Sequence, residues 1–264
     1  PSNLRRATAT TAPENSLRLL LAYRPPFAWD ALLKFLAARA IPGVECVTNN
    51  AYHRTVASGP HRGWLSVSPL KNRHLLAVDL TTSLTPVLPK ILARLRHLFD
   101  LDARPDIITS HLRRDPLLAP HLKQFPGLRV PGAFDSFELA LRAILGQQVS
   151  VRGASTLAGH LAQHLGEPFT TPLPCLTRLS PTADTIAATQ TKTLTNLGLT
   201  TTRADCLRHL ARAVATQQID LQPSAQPQAV IAQLLELPGI GPWTAEYVAL
   251  RALRWPDAFP AGDL

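Results

Sequence analysis

The last thirty residues hold the residue types best suited to chemistry. Asp263 is an isolated carboxylate in the run Pro260-Ala261-Gly262-Asp263. Such a group can stabilise developing positive charge or orient an attacking water; read in isolation, an Asp in that setting is more often a loop residue or a helix cap. Trp243 and Tyr247 stand four apart and share a helix face. They either pack into a core or offer electron-rich rings to a cation. Upstream of them, Leu235-Glu236-Leu237-Pro238-Gly239-Ile240-Gly241-Pro242 joins two apolar helical segments. Gly239 and Gly241 can take φ > 0 and let a polyanion backbone approach with no Cβ in the way. Pro242 suits a first helical position, and the helix it opens would turn free N–H groups and a positive dipole end toward a phosphate. A lone Pro-Gly-x-Gly is otherwise an ordinary turn.

The bulk numbers narrow the setting. The chain has 264 residues and is 45% hydrophobic, enough for a sizeable core and for two domains. No run of eighteen apolar residues occurs, so no membrane span is expected, and the opening residues lack the blocks of a signal peptide. Cys46, Cys175 and Cys206 are scattered and odd in number; they are expected as thiols in a reducing, cytoplasmic compartment rather than as a disulfide framework or a metal site. The nine His show no metal-ligand spacing. Net charge is 27 − 18 = +9, which suits a polyanionic partner. Residues 1–100 carry 13 − 5 = +8 and the remainder 14 − 13 = +1. The half with the glycine hairpin is thus nearly neutral, and backbone amides would have to make its phosphate contacts. The sequence contains no Met, which reads as a fragment of a longer chain or a processed product.

The elements that must position these residues differ between the two halves. Residues 1–15 read as a tail and linker. Leu17–Ala22 reads as a strand, and Trp29–Arg39 as a helix that Pro42-Gly43 stops. Tyr52–Ala57, Trp64–Ser68 and Leu75–Leu80 are further strand candidates, the last alternating Leu76, Val78 and Leu80. Pro86–Phe99 returns to helix. A small antiparallel sheet with helices therefore accounts for residues 16–105. Beyond it strand signals fade. Asp135 resembles a cap with Glu138 three residues on, Ser150 caps the next helix, and Ser180-Pro181 opens a short one. Thr202–Thr216, Pro227–Leu237 and Pro242–Leu253 are longer helices, so residues 106–264 form an all-α bundle. The fold class is α+β.

Several segments taken in order resemble the 3-methyladenine DNA glycosylase II family, of the helix-hairpin-helix glycosylases. They are Tyr23-Arg24-Pro25-Pro26-Phe27-Ala28-Trp29, Phe35-Leu36-Ala37-Ala38-Arg39-Ala40, Val130-Pro131-Gly132, Arg142 to Ser150, and Leu235 through Asp263. The resemblance spans residues 16–264. It implies a base-excision repair enzyme that flips an alkylated purine from duplex DNA and hydrolyses its N-glycosidic bond. Asp263, twenty residues after Trp243, matches the catalytic carboxylate, which stabilises an oxocarbenium-like transition state. Trp243, Tyr247 and Phe35 match the base pocket. Gln147, Gln148, Pro238, Gly239, Ile240 and Gly241 match DNA-contacting positions, Gln148 standing where the family plugs the gap left by the base. Backbone carbonyls of Leu235, Leu237 and Ile240 match a site for Na⁺ or K⁺; no other cofactor is implied. Bifunctional relatives place a nucleophilic Lys where Trp243 stands, so hydrolysis without a Schiff base is expected.

Pro1-Ser2-Asn3-Leu4-Arg5-Arg6 resembles the end of an AraC-type helix-turn-helix module, as in an Ada-type regulator fused upstream. Two rivals stand beside the main reading: a glycosylase for another lesion, and a non-catalytic DNA-binding segment of an alkylation-response regulator. The expected partner is double-stranded DNA with alkylated bases, met by a monomer with no membrane contact.

Overall fold

Alternating apolar residues pair five strands in the first third of the chain. The computed structural model describes residues 15–261; Asp263 and the Pro1–Arg6 run lie outside the described residues. β1 (Ser16–Ala22), β2 (Glu45–Thr48), β3 (Ala51–Ser58), β4 (His61–Pro69) and β5 (Leu75–Thr81) form one antiparallel sheet in the order β1-β5-β4-β3-β2. β2 adds an edge strand to those expected from sequence. Asn49 and Asn50, at φ 51° and 57°, form the two-residue turn that pairs Thr48 with Ala51. Between β1 and β2 lies α1 (Trp29–Arg39), and a 3₁₀ turn leads from β5 into α2 (Leu88–Leu98). Trp29, Leu32, Leu33 and Leu36 of α1 and Ile91, Leu95 and Leu98 of α2 are buried with the inner residues of the sheet. This is the 3.6-residue periodicity meeting the strand period of two.

Among the described residues the rest of the chain is helical: α3 (Pro105–Leu112), α4 (Ala119–Gln124), α5 (Ser136–Leu145), α6 (Val151–Leu165), α7 (Ala183–Ala188), α8 (Thr191–Asn196), α9 (Thr201–Ala215), α10 (Pro227–Leu235) and α11 (Pro242–Arg251). Asp135 caps α5 by accepting from the Glu138 amide at 3.0 Å, and Ser150 caps α6 through the Gly153 amide at 3.1 Å. Thr182, not Ser180, caps the short α7, because its side chain is the one placed at N3 distance from the Thr185 amide. α5 is the central helix: eight of its ten residues are buried, and it packs against α6, α9 and α11. No helix among the described residues is long and apolar enough to cross a membrane.

Two apolar cores result, and each borrows from the other side. Phe134 packs in the sheet's core, whereas Ile41 and Val44 pack in the helical one. Polar contacts reinforce the join. Buried Arg54 on β3 pairs with Glu45 at 3.2 Å and with Glu138 of α5 at 3.0 Å, and lies over the Phe134 ring at 4.1 Å. Burial opposes the Arg54 charge, but Glu138, Tyr52 and Glu45 more than offset it, and its pKa is raised. Thr55 donates to the Arg178 carbonyl at 2.7 Å. The cysteine expectation is corrected here. Gly43 bridges to Leu176, and this draws Cys46 and Cys175 together into a disulfide across 129 residues; only Cys206 is a free thiol, and it is buried.

Arg54→Ala leaves Glu45 and Glu138 facing one another without their cation. Denaturant unfolding is expected to show a loss of about 3–5 kcal/mol; a loss below about 1 kcal/mol would show that the pair does not hold the two halves together.

Candidate functional site

The turn between α10 and α11 is built from inside. Ile240 is buried in the helical core, and its amide donates to the Leu237 carbonyl at 3.1 Å. Gly239 sits at φ 91°, and a Cβ there would stand 2.9 Å from Cys206 Cβ on α9, so both conformation and packing require glycine. Gly241 departs from expectation. It is the N-cap of α11 at φ −96°, ordinary extended backbone, and a Cβ there would meet nothing within 4 Å. Pro238, Gly239 and Gly241 are exposed, and no side chain caps α11. The result is an open glycine edge beside an uncapped helix N-terminus, an arrangement that accepts a phosphate. Leu235 and Ile240 carbonyls accept no hydrogen bond from the described residues, while the Leu237 carbonyl already accepts one. Main-chain oxygens suit a hard monovalent cation, and the described residues hold no His/Cys/Asp/Glu cluster for a transition metal.

The α5–α6 loop separates the two glutamines. Gln147 turns inward: its Nε2 donates to the Gly239 carbonyl at 2.9 Å and to Thr244 Oγ1 at 3.2 Å, and its own carbonyl accepts from Arg203 at 2.6 Å. Its visible work is to brace the hairpin. Gln148 is exposed, at φ 55°. Ile240 likewise acts through burial, so among these positions Pro238, Gly239, Gly241 and Gln148 present accessible surface.

Trp243 and Tyr247 stack with centroids 5.1 Å apart and planes 14° from parallel. With Gly146, Val149, Val151, Arg39 and Arg142 they line a cleft of about 340 Å³, within the size range of small-molecule sites. Phe35 borders an adjoining cavity with Arg39, Arg142 and Arg251. Its ring lies 3.9 Å from the Arg39 guanidinium carbon and 5.0 Å from that of Arg251, so Phe35 reaches the cleft only by way of arginines. Arg251 is buried and donates to the carbonyls of Pro131 at 2.7 Å and Gly132 at 3.0 Å, and to the Tyr247 hydroxyl. Burial pulls its pKa down, Tyr247 pushes it up, and Arg39 and Arg142 add repulsion.

These three arginines were not singled out from sequence. A signal existed: Arg39 follows Phe35, and Arg251 follows Tyr247, by four residues in the last turn of a helix. That spacing puts guanidinium over ring.

The geometry can now be set beside known proteins. The AlkA N-terminal domain model matches residues 18–135. The 3-methyladenine DNA-glycosylase of Archaeoglobus fulgidus superposes with a TM-score of 0.79 at 21% identity, over 93% of this chain and 82% of that one. An 8-oxoguanine glycosylase/lyase of Clostridium acetobutylicum does so with a TM-score of 0.65 at 18% identity, over 84% and 72%. The fold is that of the helix-hairpin-helix DNA glycosylases. Escherichia coli DNA-3-methyladenine glycosylase 2 is 38% identical over 92% of this chain and 83% of its own length. The probable bifunctional transcriptional activator/DNA repair enzyme AlkA of Mycobacterium tuberculosis is 38% identical over 98% of this chain and 51% of its own length, so the chain spans about half of that relative. The chain belongs to the DNA-3-methyladenine glycosylase II family.

Two measurements probe this scaffold. Gln147→Ala strands the Gly239 carbonyl and Thr244 hydroxyl, and is expected to lower stability by about 1–2 kcal/mol, whereas Gln148→Ala stays within about 0.5 kcal/mol; equal losses by denaturant titration would contradict the division of labour between them. His97 anchors the far end of α11, Nε2 donating to the Arg251 carbonyl at 2.8 Å. Burial pulls its pKa from 6.5 to about 4, so between those values the unfolded chain takes up a proton that the folded chain refuses. Stability should therefore be complete above about pH 6.5 and decline toward pH 4, by up to roughly 3 kcal/mol. His97→Gln should flatten that slope, and an unchanged slope would sink the assignment.

Proposed function

We propose that this chain is a monofunctional DNA glycosylase that hydrolyses alkylated purines from duplex DNA in base-excision repair. The observation that carries the reading is the Trp243–Tyr247 stack, which walls a cleft beside an open glycine hairpin edge and the exposed Gln148. The backbone N–H groups of Gly241, Trp243 and Thr244 hold a phosphate, Pro242 having none to give, so the near-neutral charge of this half is no obstacle. Gln148 fills the space that the flipped base leaves. The base stacks against the indole of Trp243, and Asp263 stabilises positive charge on the sugar and orients water. An alkylated, cationic base is already an activated leaving group, so a second acidic residue is not needed. Trp243 stands where a lyase carries its lysine, so no amine is present there to form a Schiff base. The carbonyls of Leu235, Leu237 and Ile240 would hold Na⁺ or K⁺, an ion that would stiffen the hairpin against the phosphate. The chain acts as a monomer, placed in the cytoplasm by its likeness to DNA-repair enzymes and not by free thiols, and the similarity to a bifunctional activator and repair enzyme supports an upstream regulatory module as its neighbour.

Asp263→Asn tests the reading. Release of free methylated purine from alkylated duplex DNA is expected to drop by at least about 100-fold, with duplex binding retained in a mobility-shift assay. Undiminished release by the variant would remove Asp263 from the mechanism; loss of DNA binding with it would make the residue structural.

A further inference from the structure

Gln148 stands in the left-handed region, at φ 55°, a conformation that carries a steric cost for a residue with a Cβ and a long side chain. Among the described residues, five of the eight non-glycine positions with positive φ are Asn or Asp, whose short polar side chains tolerate it best; Gln148 lacks that excuse. Its φ depends on the peptide unit that joins Gln147 to Gln148, because rotating that unit is what would return Gln148 to negative φ. Arg203 grips this peptide directly. Its Nη2 donates to the Gln147 carbonyl at 2.6 Å, across 56 residues of sequence. Arg203 is half-buried in the first turn of α9, where its amide donates to the capping Thr200 Oγ1 at 3.3 Å. α9 packs against α5, the helix that runs into the loop. The guanidinium is therefore anchored in the scaffold and not in the loop it holds.

The other contacts of Gln147 complete the grip. Its side chain donates to Gly239 and Thr244 of the hairpin, while its carbonyl takes the charge-assisted bond, the stronger kind. Held at both ends, Gln147 passes a fixed peptide plane to its neighbour. We propose that Arg203 is a positioning residue for base flipping: it holds Gln148 in the left-handed conformation from which the side chain enters the gap that the base leaves. The inference rests on the glycosylase reading above and adds to it the device that presents the plug. Arg203 acts through the backbone of residues 147 and 148, so its effect depends on which residue has to bear the positive φ at 148.

A double-mutant cycle tests this. Single-turnover release of free methylated purine from duplex DNA treated with dimethyl sulfate is measured at saturating protein for the unsubstituted chain, Arg203→Met, Gln148→Asn and the double variant. Arg203→Met is expected to slow release by about tenfold, the size of a lost charge-assisted hydrogen bond, with binding of undamaged duplex retained in a mobility-shift assay. Asn carries the same amide as Gln and accepts positive φ more readily. Gln148→Asn is therefore expected to restore release by about threefold or more in the Arg203→Met background, and to bring no gain where Arg203 is present. Two substitutions whose effects simply multiply would overturn the inference, and so would undiminished release by Arg203→Met; both results leave the glycosylase reading intact. Release of no base by the unsubstituted chain overturns that reading and the inference with it. Should Arg203→Met fail to fold, as judged by circular dichroism, Arg203→Gln takes its place in the same cycle.

Discussion

Arg251 places a buried guanidinium, with no carboxylate paired to it among the described residues, at the point where both halves of the molecule meet. Its charge is met by two carbonyls, Pro131 and Gly132, by the Tyr247 hydroxyl, and by the faces of Phe35 and Tyr247. Desolvating a guanidinium is costly, and only a full set of acceptors offsets it. The consequence is geometric. Because Arg251 and Tyr247 lie on α11, and Phe35 lies on α1, satisfying one cation fixes α11 against the α4–α5 connection and the sheet's first helix together. The Trp243–Tyr247 stack, and the cleft it walls, inherit that fixed position.

The hairpin depends on the same helix from its other end. Gly239 is compelled by its φ and by Cys206 beneath it, and Ile240 by the core. Gly241 is compelled by nothing inside the protein: a Cβ there would meet open space. Gln147, bonded to Gly239 and Thr244, carries the α5–α6 loop along with the hairpin, so Gln148 is positioned relative to the glycine edge by two hydrogen bonds.

Much of this was legible in the residues. The alternation of Leu76, Val78 and Leu80, the Asp135 and Ser150 caps, and the Pro238–Pro242 turn each depend on local chemistry, and each appears where its spacing places it. What escaped was non-local. Cys46 and Cys175 are 129 residues apart, and non-local contacts such as the Gly43–Leu176 bridge and the Thr55–Arg178 hydrogen bond bring their segments together. Gln147 and Gln148 are neighbours of identical type, and which one turns inward depends on acceptors contributed by the hairpin nearly a hundred residues later. β2 was missed for a local reason: the Asn49-Asn50 pair that turns it is a hairpin signal in a strand only four residues long. The arginines were missed because a guanidinium four residues after an aromatic ring looks like any helix-end cation until its missing carboxylate is seen.

The central claim is that the aromatic cleft and the glycine hairpin form one base-excising site that works by hydrolysis. Its most direct test is to incubate the chain with methylated duplex DNA carrying a labelled strand and to analyse free base, strand integrity and borohydride-trapped protein together. Release of free methylated purine, with strands intact until alkali cleaves the abasic sites and no trapped adduct, is the result this account predicts. Absence of free base, or a strand nick accompanied by a trapped covalent complex, would contradict it.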